Sequence, residues 1–179
     1  MNNEKLAPEN FKVLISEARI QQRLRELGAE ISRDFQDSKP IMIGILNGGF
    51  IFLADLIRHI ETDLEIDFMR ISSYGNHKES TGHVKVLKPL SADINGRDVI
   101  VVEDIVDSGL SLQFLEKLLS AFRPNRLKFA TLLHKPSKTR VPVRLDYVGF
   151  EVEDKYVVGY GLDEEQLKRN LRQIYVVNE

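Results

Sequence analysis

Val101-Val102-Glu103-Asp104-Ile105-Val106-Asp107-Ser108-Gly109, entered through Val99 and Ile100, is the stretch on which the fold reading turns. Branched apolar residues suited to a buried strand end in two adjacent carboxylates, then a third at Asp107, then a Ser-Gly turn that opens a helix. In open α/β sheets, ligands collect beyond the carboxyl ends of the strands, where the chain turns into the next helix. Backbone amides at such a helix start, here Ser108, Gly109, Leu110 and Ser111, are free to hold a phosphate, and the two serine hydroxyls add donors. Glu103 and Asp104 have the wrong sign for phosphate but suit sugar hydroxyls or Mg2+, a cation that prefers oxygen ligands. The run therefore reads as a cradle for a phosphorylated sugar and its metal. The competing reading is an ordinary helix start, capped by Asp107 or Ser108 with exposed acids beside it.

The flanking sequence supplies the rest of an α/β layer structure. Ile20, Leu24, Leu27, Ile31 and Phe35 recur at helical spacing, with charged residues between them, and predict an amphipathic helix. Ile41 to Leu46 is apolar throughout, as buried parallel strands are; Asn47-Gly48-Gly49 breaks it, and Phe50 to Ile60 resumes at helical spacing. Leu64 to Ser72 and His83 to Leu90 read as strands joined by the polar segment Ser73 to Gly82, a lid or a loose connection. Asn95-Gly96 marks a turn before the decisive strand, and Ser111 to Phe122 gives the helix after it. Leu127 to Leu133 is another buried strand, ending in His134-Lys135-Pro136. Strand-like pieces follow at Tyr147 to Val152 and Lys155 to Gly159, then a short helix at Asp163 to Leu167 with acids in its first turn, and a closing strand at Ile174 to Val177. Alternating strand and helix predict a parallel α/β core with additions at both ends.

Composition narrows the chemistry. A chain of 179 residues fits one domain with a core large enough to need no staples. Its 25 basic and 27 acidic side chains nearly cancel, so no basic field points to nucleic acid, and a small-molecule ligand is expected. Without cysteine there is neither a disulfide framework nor a thiolate, which leaves carboxylates, histidines and lysines as the reactive groups. His59, His83 and His134 lack the paired spacing of metal ligands and read as structural; His77 and Lys78 read as solvated. The basic cluster Lys135, Lys138, Arg140 and Arg144 is short enough for a subunit contact or solvated surface. No signal-like start and no bilayer-length apolar run are present, so no membrane is expected and the cytoplasm is the simplest location.

The decisive run resembles the ribose-phosphate signature of the type I phosphoribosyltransferases. Leu46-Asn47-Gly48-Gly49, Ser73-Tyr74, Lys135, the segment from Val148 through Tyr156 and Val157 to Asp163, and Arg169 follow in the order and spacing of the hypoxanthine-guanine members of that family. The resemblance implies a parallel twisted sheet flanked by helices, Rossmann-like, with a small hood formed by terminal segments. It implies one domain over 1–179, its core about 36–145 and its hood drawn from the N-terminal segment and about 146–179.

The implied reaction is Mg2+-dependent transfer of a phosphoribosyl group to hypoxanthine or guanine, with pyrophosphate leaving. Glu103 and Asp104 would hold the ribose hydroxyls directly or through the metal, and Ser108 to Ser111 the 5′-phosphate. Asp107 would be the general base for the purine N7 proton. Asn47, Gly48, Gly49 and Arg169 would meet pyrophosphate; the family often has Lys or Arg where this chain has Asn47, and often a cis peptide before it. Lys135 would bind the purine O6, Tyr156 stack on the ring, and Val157 read the base edge, with carbonyls near Asp163 sharing that reading. Asp163 would take a second Mg2+, Ser73 and Tyr74 would begin a lid, and the family's habit implies a homodimer or homotetramer. A xanthine-preferring enzyme and a non-catalytic phosphoribosyl-binding regulator are the alternatives.

Overall fold

The computed structural model describes residues 11–74 and 83–177. Strand β1 (Phe11–Ile15) leads into helix α1 (Glu17–Asp34), capped by Ser16, whose hydroxyl accepts the Arg19 amide at 3.4 Å. Then come β2 (Ile41–Leu46), α2 (Gly49–Leu56) with a 3-10 turn at Ile57–His59, β3 (Glu65–Tyr74), β4 (His83–Lys88) and β5 (Asp98–Val106). Helix α3 (Leu110–Ser120), β6 (Arg126–His134), β7 (Tyr147–Glu151), β8 (Val157–Val158) and β9 (Ile174–Val177) complete the chain.

Six strands form one sheet in the order β4-β3-β2-β5-β6-β7, parallel except for β4 at its edge. Its central strands are apolar throughout because both faces are covered. Met42, Ile100 and Val102 face a core shared with α1 and α2, whereas Ile41, Ile43, Val99 and Val101 face a second core under α3. Three antiparallel strands, β1-β9-β8, make a smaller sheet from the two ends of the chain, and Ile15, Val157 and Ile174 join it to the first core. Among the described residues no helix is long and apolar enough to cross a membrane.

Three expectations are corrected, and one strand is added. Strand β5 does not stop at Val102: pairing of Glu103 with Thr131, Ile105 with Leu133 and Val106 with His134 carries the ladder through the acids, so Glu103 and Asp104 lie within the strand. Asp163 to Leu167 is no helix, because Glu165 and Gln166 take positive φ of 50° and 69° and Glu164 bridges Leu167 across a tight turn. The core does not end near residue 145, since β7 pairs in parallel with β6 and belongs to the large sheet, as α1 belongs to its covering layer. Phe11–Ile15, for which the sequence pattern predicted no element, is a strand. The expected lid, with His77 and Lys78, lies outside the described residues beyond the backbone of Ser73 and Tyr74, which ends β3.

The amino ends of the strands are locked by an ion pair. Asp98, at the start of β5, accepts from Arg126 Nε at 2.9 Å and Nη2 at 2.5 Å and from Asn125 at 2.7 Å. The same guanidinium bonds the Asp34 carbonyl and Ser38 and lies 4.2 Å over the Phe35 ring, tying α1 to β5 and β6. Arg126 holds the Asp98 carboxyl far below its ordinary range, so this stabilisation is present above about pH 4, the unfolded value, and is lost as pH falls below it. Asp98→Asn is expected to cost about 1–3 kcal/mol at pH 7, discounted because Arg126 is partly solvated. Urea unfolding should show the gap to the parent chain narrowing below pH 4; a gap independent of pH would contradict the assignment.

Candidate active site

The carboxyl ends of β2 and β5 meet at two glycines. A Cβ on Gly48 would land on the Asp104 carboxylate, and one on Gly49 would sit 2.9 Å from the Val102 carbonyl, so only glycine lets the β2–α2 turn lie against β5. The peptide between Leu46 and Asn47 is cis. From the other side Gly161, at φ 99°, brings its α-carbon against the Gly48 carbonyl. Arg169 Nη1 donates to the Gly161 carbonyl at 2.7 Å, and its Nη2 pairs with Asp163 Oδ1 at 2.7 Å. Asn47, Gly48, Gly49, Asp104, Gly161, Asp163 and Arg169 are thereby gathered at one end of the sheet. Asp163 also accepts the Gln166 amide at 2.8 Å, so it caps a turn where a helix cap was expected.

Negative charge at this end is poorly compensated. Glu103 is only 8% exposed; burial, then the neighbouring Asp104 charge, pushes its carboxyl well above the ordinary range. Burial pushes Asp104 up to about 6, although the Ile105 amide, donating at 2.9 Å, and the Arg169 charge pull the other way. Two crowded carboxylates suit a cation such as Mg2+, which commonly takes one or two protein carboxylates and completes its shell with phosphates and water. Asp163 is committed to Arg169, and no group of three potential metal ligands occurs among the described residues, so a metal here would draw further oxygens from substrate or water.

Beyond Val106 the chain turns through Asp107 to Ser111 into α3. Gly109, at φ 83°, occupies the cap position of α3 and no side chain caps the helix, which removes the ordinary-cap reading for Asp107. Ser108 Oγ reaches only the Leu110 amide, at 3.5 Å. Glu103, Asp107, Ser108, Gly109 and Ser111 line a cavity of about 80 Å³, phosphate-sized, at the positive end of the helix dipole.

Asp107 itself turns towards the loop after β6. Its Oδ2 pairs with Lys138 Nζ at 2.9 Å, whereas its Oδ1 is shielded from solvent and has no partner. That loop is laced to the phosphate turn: the Lys135 amide donates to the Val106 carbonyl at 3.0 Å, the Arg140 amide to the Ser108 carbonyl at 3.0 Å, and the Thr139 hydroxyl to the Asp107 carbonyl at 3.1 Å. Lys135 is no solvated strand-end lysine. It is 5% exposed, and its ammonium pairs with Asp154 at 3.2 Å. Tyr156, by contrast, is 56% exposed and outside the core, its hydroxyl bonding the Asp163 carbonyl at 3.2 Å, while Val157 beside it is buried. An aromatic face is therefore presented near Asp154 and Asp163.

Three contributors escaped the sequence reading. Lys138 looked like solvated charge, and its Pro136-Ser137-Lys138 turn was the available signal. Asp154 lay inside a quoted segment without a role, and Gly161 showed its use only once the Gly48 backbone stood opposite. The basic cluster is largely committed internally: Lys135 to Asp154, Lys138 to Asp107 and Asp154, and Arg144 to Asp146.

Residues 15–165 match the family model described as the phosphoribosyl transferase domain. The chain is 50% identical over 166 residues to the hypoxanthine-guanine phosphoribosyltransferase of Bacillus subtilis, covering 93% of this chain and 92% of that protein. A crystal structure of a hypoxanthine-guanine phosphoribosyltransferase from Bacillus anthracis, with HEPES in its active site, is 48% identical and superposes with a TM-score of 0.89 over 93% of this chain and 98% of that one. A hypoxanthine phosphoribosyltransferase from Staphylococcus aureus, 40% identical, gives a TM-score of 0.93 over 99% and 96%.

Proposed function

Since the chain belongs to the phosphoribosyl transferase family, we propose that it carries the 5-phosphoribosyl group from 5-phosphoribosyl 1-pyrophosphate to N9 of hypoxanthine or guanine, in purine salvage. The observation that carries the reading is the buried Lys135, braced against the phosphate turn by its own amide. It supports a 6-oxopurine held directly beside a ribose phosphate.

The reaction breaks the bond from C1′ to the pyrophosphate oxygen and forms one from C1′ to N9, with positive charge on the sugar ring in between. Ser108 to Ser111 hold the 5′-phosphate; Glu103 and Asp104 orient the ribose hydroxyls and are the residues that would hold Mg2+, with Asp163 nearby. When bound, that cation supplies positive charge against the departing pyrophosphate. Asn47, Gly48, Gly49 and Arg169 receive the leaving group, Arg169 by exchanging Asp163 for phosphate oxygens. Lys135 donates to the purine O6, which favours an oxo group over the amine of adenine. Tyr156 covers the ring, Val157 and the carbonyls near Asp163 read its edge, and Asp107 accepts the proton from N7.

Catalysis takes place in the cytoplasm, in a homodimer or homotetramer. Phe50, Ile66 and Leu87, 42–49% exposed, supply apolar surface for subunit contact. Ultraviolet assay of nucleotide formation, with kcat/KM compared for hypoxanthine, guanine, xanthine and adenine, tests the proposal: no product from hypoxanthine or guanine with Mg2+ and the sugar pyrophosphate would refute it. Lys135→Met is expected to lower kcat/KM for hypoxanthine about 10- to 100-fold, the loss of one charge-assisted bond. An unchanged value would remove Lys135 from base recognition.

A further inference from the structure

We infer that Lys138 is a positioning residue for the proton-accepting carboxylate, fixing Asp107 by one oxygen and linking it through Asp154 to the lysine that reads the purine. The inference rests on the phosphoribosyl-transfer reading above. Lys138 Nζ lies 2.9 Å from Asp107 Oδ2 and 3.4 Å from Asp154 Oδ1, and Asp154 Oδ1 lies 3.2 Å from Lys135 Nζ. Acid and base alternate along this chain of four residues, from proton acceptor to purine donor.

Lys138 is delivered to this position by short, braced backbone. Pro136–Lys138 form a 3-10 turn, closed by the Lys138 amide on the Lys135 carbonyl at 3.1 Å. Both flanks of the turn are bonded to residues 106–108, through Lys135 on one side and Thr139 and Arg140 on the other. The ammonium therefore moves with the phosphate turn, and the pair with Asp107 raises the Lys138 pKa above its ordinary value.

Holding Oδ2 decides what the other oxygen does. Asp107 Oδ1 is shielded and unmatched, and a shielded acceptor without a donor is unfavourable. A purine N–H brought to it would satisfy that acceptor without breaking the Lys138 pair. The other charges around Asp107 are Glu103, which lines the same small cavity, Asp104 upstream on β5, Lys135 and Asp154 across the loop, and His134, in register with Val106 on β6. Lys138 is the cation paired directly with the Asp107 carboxylate, so its removal frees Oδ2 and lets the carboxylate turn.

The test is kcat and KM for hypoxanthine in the parent chain, Lys138→Met, Lys138→Arg and Asp107→Asn, with thermal unfolding confirming that each is folded. Lys138→Met is expected to lower kcat about 10-fold with KM within about threefold, as misplacing a proton acceptor does, and Lys138→Arg to restore it. Should Lys138→Met not fold, kcat is read from Lys138→Gln. A Lys138→Met kcat equal to the parent's, while Asp107→Asn has lost turnover, overturns the Lys138 inference alone. Full turnover in Asp107→Asn overturns the underlying assignment of the proton acceptor instead.

Discussion

Asp107→Asn is expected to reduce kcat about 1000-fold while leaving the KM for the sugar pyrophosphate within about threefold, since general-base catalysis typically contributes 10²–10⁴. The substitution keeps the shape and removes the charge. Lys138 would then face an amide, and Oδ1, the oxygen without a partner, would no longer be a strong acceptor. The surrounding backbone should hold its place, because Asp107 is tied into the loop by its carbonyl, which accepts from Thr139, and this bond survives the change. Steady-state rates with hypoxanthine and guanine check the expectation. If kcat stays within about threefold of the parent value, Asp107 is not the proton acceptor, and the ring would have to lose its proton to solvent.

Gly161→Ala should be nearly as damaging, by a different route. At φ 99° an alanine is strained by about 1–3 kcal/mol, and its Cβ would collide with the Gly48 carbonyl, backbone against backbone. Relief requires the segment carrying Asp163 and Arg169 to withdraw from the turn carrying Gly48 and Gly49. A shift of about 1 Å at a reacting centre can cost 10²-fold, so kcat/KM for the sugar pyrophosphate is expected to fall about 100-fold. Gly96→Ala is the control. It has a similarly positive φ of 65° but nothing within 4 Å of the added carbon, so it should lose about 1 kcal/mol in stability and keep its activity. Equal kinetic losses in both variants would show that the contact between Gly161 and Gly48 is immaterial to the site.

What could be read from sequence depended on whether a residue's partner was near in the chain. Ile41–Leu46 and Val99 to Val102 were legible as buried parallel strands, because coverage on both faces makes every position apolar. Glu103 and Asp104 were recognisable as a pair, but their place inside β5 was not, since the ladder with β6 that extends the strand belongs to another segment. Acids at Asp163 to Glu165 imitate a helix start; the turn that forms instead is imposed by Arg169, which holds both Asp163 and Gly161. Lys138 reads as solvated until Asp107, 31 positions earlier, comes within 2.9 Å. Strand β1 has one deeply buried position, Ile15, among its five, and pattern alone gives it no partner.

That partner is β9, the last of the described strands. Phe11 pairs with Val177 and Ile15 with Ile174, so β1 finds its mate only when synthesis has passed through β9. Until then β1 presents an open edge, of the kind that recruits foreign strands, while α1, β2 and β5 already have material for a core. The segment between β8 and β9 carries Arg169, so the arginine that holds Asp163 and Gly161 is also seated late. A nascent chain that has not yet reached β9 can thus bring the Asp107–Ser111 turn and the acids of β5 together before Arg169 is secured, so the small sheet is the last part of the site to be assembled.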